Sequence, residues 1–408
     1  MIAGFDAASP GFGRDPWPAY AAMRAQPGLI FWPEFDGHVA ARFHDVRAIA
    51  ADRRMVRNPA AFAGEQECRR LQIAENFHDM PFHERFVQRS MLDLDGPDHD
   101  RLRRAVFPFF TRTRLESLRG WTDDLVSAAL DRVLPQGRID VVADLAGQLP
   151  AQVIGRLIGT DPALARQMTD WSEDVVSYFD VTNRTDSRKA KAEDATRRFH
   201  DLLQDLCAAR RAEPQPDLTS ALIAASDQGL LSRDELISTI MQLLHAGHGS
   251  TVDAMGNGMD ALLRHPDQMA RLRDDPGLIP QAVQEMFRFA APLPFFHRYA
   301  SEDLTVCGQD WPQGTRFGLL YAAANRDPAA FNEPDRFDIG RKPNLHLAFG
   351  AGPHVCLGNN LARLTMETLF TQLLARTADI VAAGPAVWKT GLQAHGPLSL
   401  PVRLIPAG

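Results

Sequence analysis

Apolar residues recur at three- and four-residue spacing through most of the chain between positions 97 and 289. That is the period of helices with one buried face. It predicts helices over 97–109, 114–133, 143–158, 162–180, 190–211 and 232–263, with Pro150 able to kink the third. A shorter helix, Ala19–Ala25, follows Asp15-Pro16-Trp17-Pro18. Asp275-Pro276-Gly277 reads as a turn, and the helix after it carries Pro280 in its first turn and ends near Phe289. Another is expected from Asn359 to about Leu374. Strand signals are short. Leu29–Trp32 and His38–Ala41 form a hairpin around Asp36-Gly37, and strands are expected near 295–300, 304–307 and 315–319. A proline- and charge-rich meander occupies 326–345, and 376–406 alternates like small antiparallel strands. Residues 54–95 read as irregular, a length that suggests a functional loop. The fold class is therefore mainly α with small β-sheets.

Composition narrows the function. The chain has 408 residues and a net charge of -7, enough for a large core, and its mild acidity argues against a general nucleic-acid binder. Cys68, Cys207, Cys307 and Cys356 are widely spaced, so neither a disulfide framework nor a cysteine zinc site is expected, and a reducing cytoplasm fits. The first fourteen residues lack the pattern of a signal peptide, and no apolar run is long enough to span a membrane.

The chemistry concentrates in Phe349-Gly350-Ala351-Gly352-Pro353-His354-Val355-Cys356-Leu357-Gly358. A cysteine here stands in a glycine-rich, apolar loop just before a helix. A metal-bound thiolate needs its charge held by close backbone N–H groups, and glycine permits that approach. The helix from Asn359 points its positive end at the sulfur. For a lone cysteine, a small buried hydrophobe would be the better reading; the five fixed positions of F-x-x-G-x-H-x-C-x-G weigh against it.

Other stretches add to this. Leu243-Leu244-His245-Ala246-Gly247-His248-Gly249-Ser250-Thr251 puts two glycines mid-helix, each costing about 1 kcal/mol against alanine. Close approach of a flat ligand would explain them, and so would a kink. Ser250 and Thr251 could offer a hydroxyl. His245 and His248 lack a third neighbour for metal binding; a proton-relay role is the alternative. Glu285 and Arg288 share a helical face. Arg101, Arg104, Arg112, Arg114, Lys342 and Arg363 form a basic set, readable as ordinary surface charge or as a docking face for an acidic protein.

Taken together, these stretches resemble the cytochrome P450 family, of the bacterial type without a membrane anchor, in family order along nearly the whole chain. The resemblance implies one cytochrome P450 domain over 1–408, a b-type haem, and the Cys356 thiolate as its iron ligand, with Phe349, Gly350, His354 and Gly358 in the haem loop. It implies haem-propionate partners at His99, Arg103, Arg298 and His346, and a structural core of Glu285, Arg288 and Arg336. The oxygen-binding helix pattern A-G-x-[D/E]-T is matched at Ala246 and Gly247. It is broken where Gly249 replaces the acid and Ser250 the threonine, so proton delivery falls to Ser250, Thr251, water, a histidine or the substrate.

The expected reaction is insertion of one atom of O2 into a small, largely apolar substrate, aromatic or terpenoid-like. Electrons would come from NAD(P)H through a reductase and a ferredoxin, since no nicotinamide fingerprint is present. A cytoplasmic monomer is expected. By resemblance the pocket draws on the 54–95 loop, the 170–190 segment, the oxygen helix, the Pro292–Phe296 turn and the 391–396 turn, with Leu243, Leu244, Leu293, Pro294 and one of Phe295 and Phe296 in its wall. Arg69 and Arg70 could meet a carboxylate. Peroxide-driven or coupling chemistry is the alternative, because of Gly249 and Ser250. A non-catalytic haem protein is more remote. A haem-free terpenoid-type enzyme is remoter still, as Asp123-Asp124 lacks further acidic residues.

Overall fold

The helical period is realised almost throughout. The computed structural model describes residues 6–181 and 184–407. Met1–Phe5, in the stretch inspected for a signal peptide, and Thr182 and Asn183, in the expected pocket segment 170–190, lie outside them. The helices that build the site are α1 (Glu65–Ala74), α2 (Pro81–Phe86), α3 (Gly96–Val106), α4 (Ala165–Ser177), α5 (Asp186–Ala212), α6 (Arg233–Ala246), α7 (Gly249–Arg264), α8 (Ile279–Phe289) and α9 (Asn359–Arg376).

Two expectations are corrected. The 54–95 segment is not irregular, because α1 and α2 lie within it. Both are short and α1 buries no residue fully, so neither carries the wide apolar stripe that marks a helix in sequence. The long helix 232–263 is two helices. α6 opens on a capping box between Ser232 and Glu235 and ends at Ala246. Gly247 and His248 interrupt it before α7 begins. A Cβ on Gly247 would stand 2.8 Å from the Leu243 carbonyl and 3.1 Å from Ile154. That glycine is thus explained by a tight turn against a neighbouring helix.

The strands form a five-stranded sheet in the order Ile30–Trp32, Gly37–Ala40, Arg316–Leu320, Phe295–Ala300, Met55–Val56. All its pairings are antiparallel except that between Gly37–Ala40 and Arg316–Leu320. The C-terminal segment supplies Thr377–Ala382 and Pro401–Pro406, which pair antiparallel, and a smaller ladder of Val387–Trp388 with Pro397–Ser399. One large apolar core gathers α7, α8 and α9; a second gathers α2, α3, α5, α6 and the start of α9. The cysteine loop lies where these two cores meet at α9.

Candidate functional site: a thiolate loop and a buried cationic cluster

The loop geometry follows from its glycines. Gly350 and Gly352 have φ of 70° and 69°, a region costly for any residue with a Cβ. At Gly352 a Cβ would also fall 2.5 Å from the Ala50 carbonyl. The chain therefore doubles back, and the Cys356 N–H donates to the Phe349 carbonyl at 2.8 Å. Cys356 is exposed, yet desolvation by the protein atoms around its sulfur pushes the thiol up; the N–H groups of Gly358 and Asn359 at the start of α9, with the charges of Arg103 and Arg363, oppose it. The groups that would hold a thiolate are thus gathered at this sulfur. Arg363 lies over the Phe349 ring at 4.9 Å, and Phe287 packs on that ring at 4.6 Å.

Beside the loop lies a buried cationic cluster. His99 is 2% exposed, and its Nε2 has no partner among the described residues. Its ring centre is 4.4 Å from that of His354, whose Nε2 is 3.0 Å from Asp95 Oδ1. Burial lowers the His354 pKa to about 4. Arg298 is buried, and its one hydrogen bond among the described residues runs from Nη1 to the His297 carbonyl at 2.8 Å. Burial pushes its pKa down to about 10. Arg103 donates from Nη2 to the Val355 carbonyl at 2.7 Å. A buried cation with so few acceptors and an orphaned buried imidazole nitrogen are costly unless an anion meets them. This donor set fits the two propionates of a haem that the Cys356 loop would hold.

His346 is placed differently from its expected role. Its Nε2 lies 3.1 Å from Gln284 Oε1, and its Nδ1 accepts the Ala348 N–H at 3.2 Å. Both nitrogens are spent on the protein, whereas His354, two residues before the cysteine, sits with His99. Arg57 and Asp95 were missed from sequence. Arg57 is buried and donates to Asp93 at 2.8 Å, and Asp95 accepts the N–H groups of Arg57 and Asn58. No motif marks them; only folding brings them beneath Arg298.

The break between α6 and α7 presents Ala246, Gly249 and Ser250 as surface-accessible residues, while Thr251 is buried. Ser250 Oγ is 3.5 Å from the Ala246 carbonyl, a long contact that leaves the hydroxyl nearly free. A Cβ at Gly249 would meet nothing within 4 Å.

The charged core is also corrected. Glu285 and Arg288 are fully buried and bidentate, at 2.7 and 2.8 Å. The second guanidinium on Glu285 belongs to Arg341, at 3.1 Å. The Arg336 side chain is 58% exposed and pairs with Glu333. What Arg336 contributes is its carbonyl, which accepts from Arg288 and Arg341. The meander turns so that the backbone carbonyl of Arg336, not its side chain, faces the Arg288 and Arg341 guanidinium groups.

Of the expected pocket wall, Leu293 is half-buried and Leu243, Leu244 and Pro294 are buried. Phe295 is core: it packs edge-on against Phe35 at 5.2 Å, and Gly318 beside it is too tight for a Cβ. Strand alternation turns Phe296 to the other face, where Arg57 lies over its ring at 5.4 Å. Arg69 pairs with Asp79 and Glu84, and Arg70 with Glu67, so neither is a free anion partner.

Arg104, Arg112, Arg114 and Lys342 are exposed, but Arg101 is clamped by Glu235 at 2.6 Å and Asp98 at 2.8 Å. Arg101, followed by the Ser232 cap, outweighs desolvation and holds the Glu235 carboxyl down to about 2 from an ordinary 4.5. A depressed carboxylate adds stability that is full above its ordinary value and lost as pH falls through the folded one. Between pH 4.5 and about 2, Glu235→Gln is therefore expected to show a shallower fall of Tm with pH than the wild type. Parallel thermal melts across that range check it.

Comparison with known proteins agrees with this geometry. The family model described as Cytochrome P450 matches residues 277–377, which hold α8, the meander, the cysteine loop and α9. The biotin biosynthesis cytochrome P450 of Bacillus subtilis is 34% identical over 91% of this chain and 92% of its own. The 6-deoxyerythronolide B hydroxylase of Saccharopolyspora erythraea is 37% identical over 78% of this chain and 79% of its own. The crystal structure of CalO2 superposes with a TM-score of 0.90 at 29% identity, covering 100% of both chains.

Proposed function

This chain belongs to the cytochrome P450 family, and on that premise we propose that it inserts one oxygen atom from O2 into a small, largely apolar organic substrate. The proposed electron route runs from NAD(P)H through a reductase and a ferredoxin-type carrier. The enzyme is an oxidoreductase of the monooxygenase family, and its cofactor is haem b. When bound, that group supplies the redox chemistry of oxygen activation, which a thiolate ligand favours.

The chain's own residues do the rest. The Gly358 and Asn359 N–H groups stabilise the Cys356 thiolate; His99, His354, Arg298 and Arg103 offer cations and donors to the propionates. The observation that carries the reading is the arrangement of those N–H groups and two guanidinium charges at one sulfur. The haem-loaded protein, reduced under carbon monoxide, should give the absorbance band for which the family is named. It should consume NAD(P)H only when a ferredoxin and its reductase are added. Absence of the band sinks the reading. We also read positions 1–408 as one domain of a cytoplasmic monomer. No described helix is long and apolar enough to cross a membrane.

A second reading, peroxide-driven or coupling chemistry, is favoured by Gly249. Without an acid there, Ser250 Oγ must pass protons with the help of water or of substrate. The open space at Gly249 admits a carboxylate. Gly249→Asp is expected to raise the fraction of NAD(P)H electrons recovered in product and to lower peroxide release. Unchanged coupling would favour the second reading.

A further inference from the structure

Two imidazoles are buried without a hydrogen-bond partner at one place in the fold. His83 in α2 is 0% exposed and His245 in α6 is 3% exposed; all four of their ring nitrogens are unpartnered among the described residues. His245 is close enough for its charge to lower the His83 pKa, and the Phe179 ring lies 6.2 Å from both. Phe77 stacks on His83 at 5.5 Å. Buried polar groups are nearly always paired, so four orphaned nitrogens together need an explanation.

Their position supplies one. Gln242, His245 and Ala246 follow the spacing i, i+3, i+4, which puts them on one face of α6. Ala246 is exposed on that face, and Gln242 Oε1 is a fifth buried, unpartnered atom. His83, Phe179 and His245 come from three segments far apart in sequence: α2, the turn after α4, and α6. The structure brings together one residue from each of these three elements, and the exposed Ala246 directly follows His245 on α6.

We propose that His83 and His245 are a specificity-determining pair that hydrogen-bonds one polar group of the substrate, a hydroxyl, phenol or carboxamide on an otherwise apolar molecule. The proposal rests on the monooxygenase reading above and names the substrate class. Burial holds His83 at about 3 and His245 at about 4, so both rings are neutral. A neutral imidazole offers one donor and one acceptor. The matching group must therefore both donate and accept, which a hydroxyl or an amide does and a carboxylate does not.

Matched probes test this on the haem-loaded protein: 2-naphthol against naphthalene, and 4-phenylphenol against biphenyl, with Kd read by equilibrium dialysis. The hydroxylated member of at least one pair is expected to bind about tenfold tighter, the effect of satisfying one otherwise unpaired buried group. His83→Leu and His245→Leu should each reduce that preference to about threefold or less, with the hydrocarbon's Kd little changed. Tm should hold or rise, because replacing an orphaned polar group by an apolar one removes a desolvation cost. Preference absent in the wild type, preference surviving in both variants, or both variants melting well below the wild type would each overturn the proposal. Loss of the reduced carbon-monoxide band in the wild type would instead remove the monooxygenase reading beneath it.

Discussion

Cys356→Ala is expected to abolish the reduced carbon-monoxide band and all turnover while leaving the fold in place. The loop does not depend on the thiol for its shape. The Cys356 N–H to Phe349 carbonyl bond and the positive φ of Gly350 and Gly352 are backbone features that alanine preserves. What alanine removes is the atom on which the Gly358 and Asn359 N–H groups and the Arg103 and Arg363 charges converge. Without that sulfur, among the described residues Arg103 keeps only Asp100, and Arg363 only Glu367, as a nearby opposite charge, and any haem retained would lack its thiolate. Far-UV circular dichroism should match the wild type, and the difference spectrum should be empty at the family wavelength. A variant that kept the band would show that another residue ligates the iron.

The second large effect is on stability. Glu285 is buried and accepts from Arg288 at 2.7 and 2.8 Å, from Arg341 at 3.1 Å, from Asn344 at 3.0 Å and from the Asp338 N–H at 3.0 Å. Glu285→Ala strands a fully buried guanidinium and is expected to cost about 3–5 kcal/mol. That is a large part of the 5–15 kcal/mol typical of a folded domain. Urea unfolding should show a much lower midpoint or no cooperative transition. Arg341→Ala should cost about 1–3 kcal/mol, because it leaves one donor fewer on a buried carboxylate. Arg336→Ala should stay within about 0.5 kcal/mol of the wild type, as exposed pairs do. Equal damage from Arg336→Ala and Arg341→Ala would contradict the geometry.

These results separate what local pattern reveals from what it conceals. The strand Phe295–Ala300 and the helix from Asn359 are where the sequence places them, because the proline before the strand and the glycine before the helix act locally. The glycines around Cys356 were legible for the same reason: each acts on its own stretch of backbone. Partnerships across the fold were not. Arg336 and Arg341 stand five apart in a meander without periodicity, and which one turns inward depends on a backbone path that neither determines. His346 and His354 flank the same loop, and only the packing of α3 against it selects His354 as the neighbour of His99. Phe295 and Phe296 differ in face by strand parity, but which parity faces the core is set by Phe35 from the other end of the sheet.

The interruption at Gly247 and His248 gives the molecule a joint. α6 and α7 are two rods rather than one, and the first N–H groups of the second rod have no preceding turn to donate to. Amide protons around 248–250 should exchange with solvent sooner than those of Leu236–Leu244 or Ala254–Leu262, a contrast that mass spectrometry of the haem-loaded protein would register. Ser250 sits just past the joint. A small change of angle between the rods therefore becomes a displacement of its hydroxyl relative to the loop that carries Cys356, and a ligand wedged against α6 would be felt across the joint as a change in where that hydroxyl points.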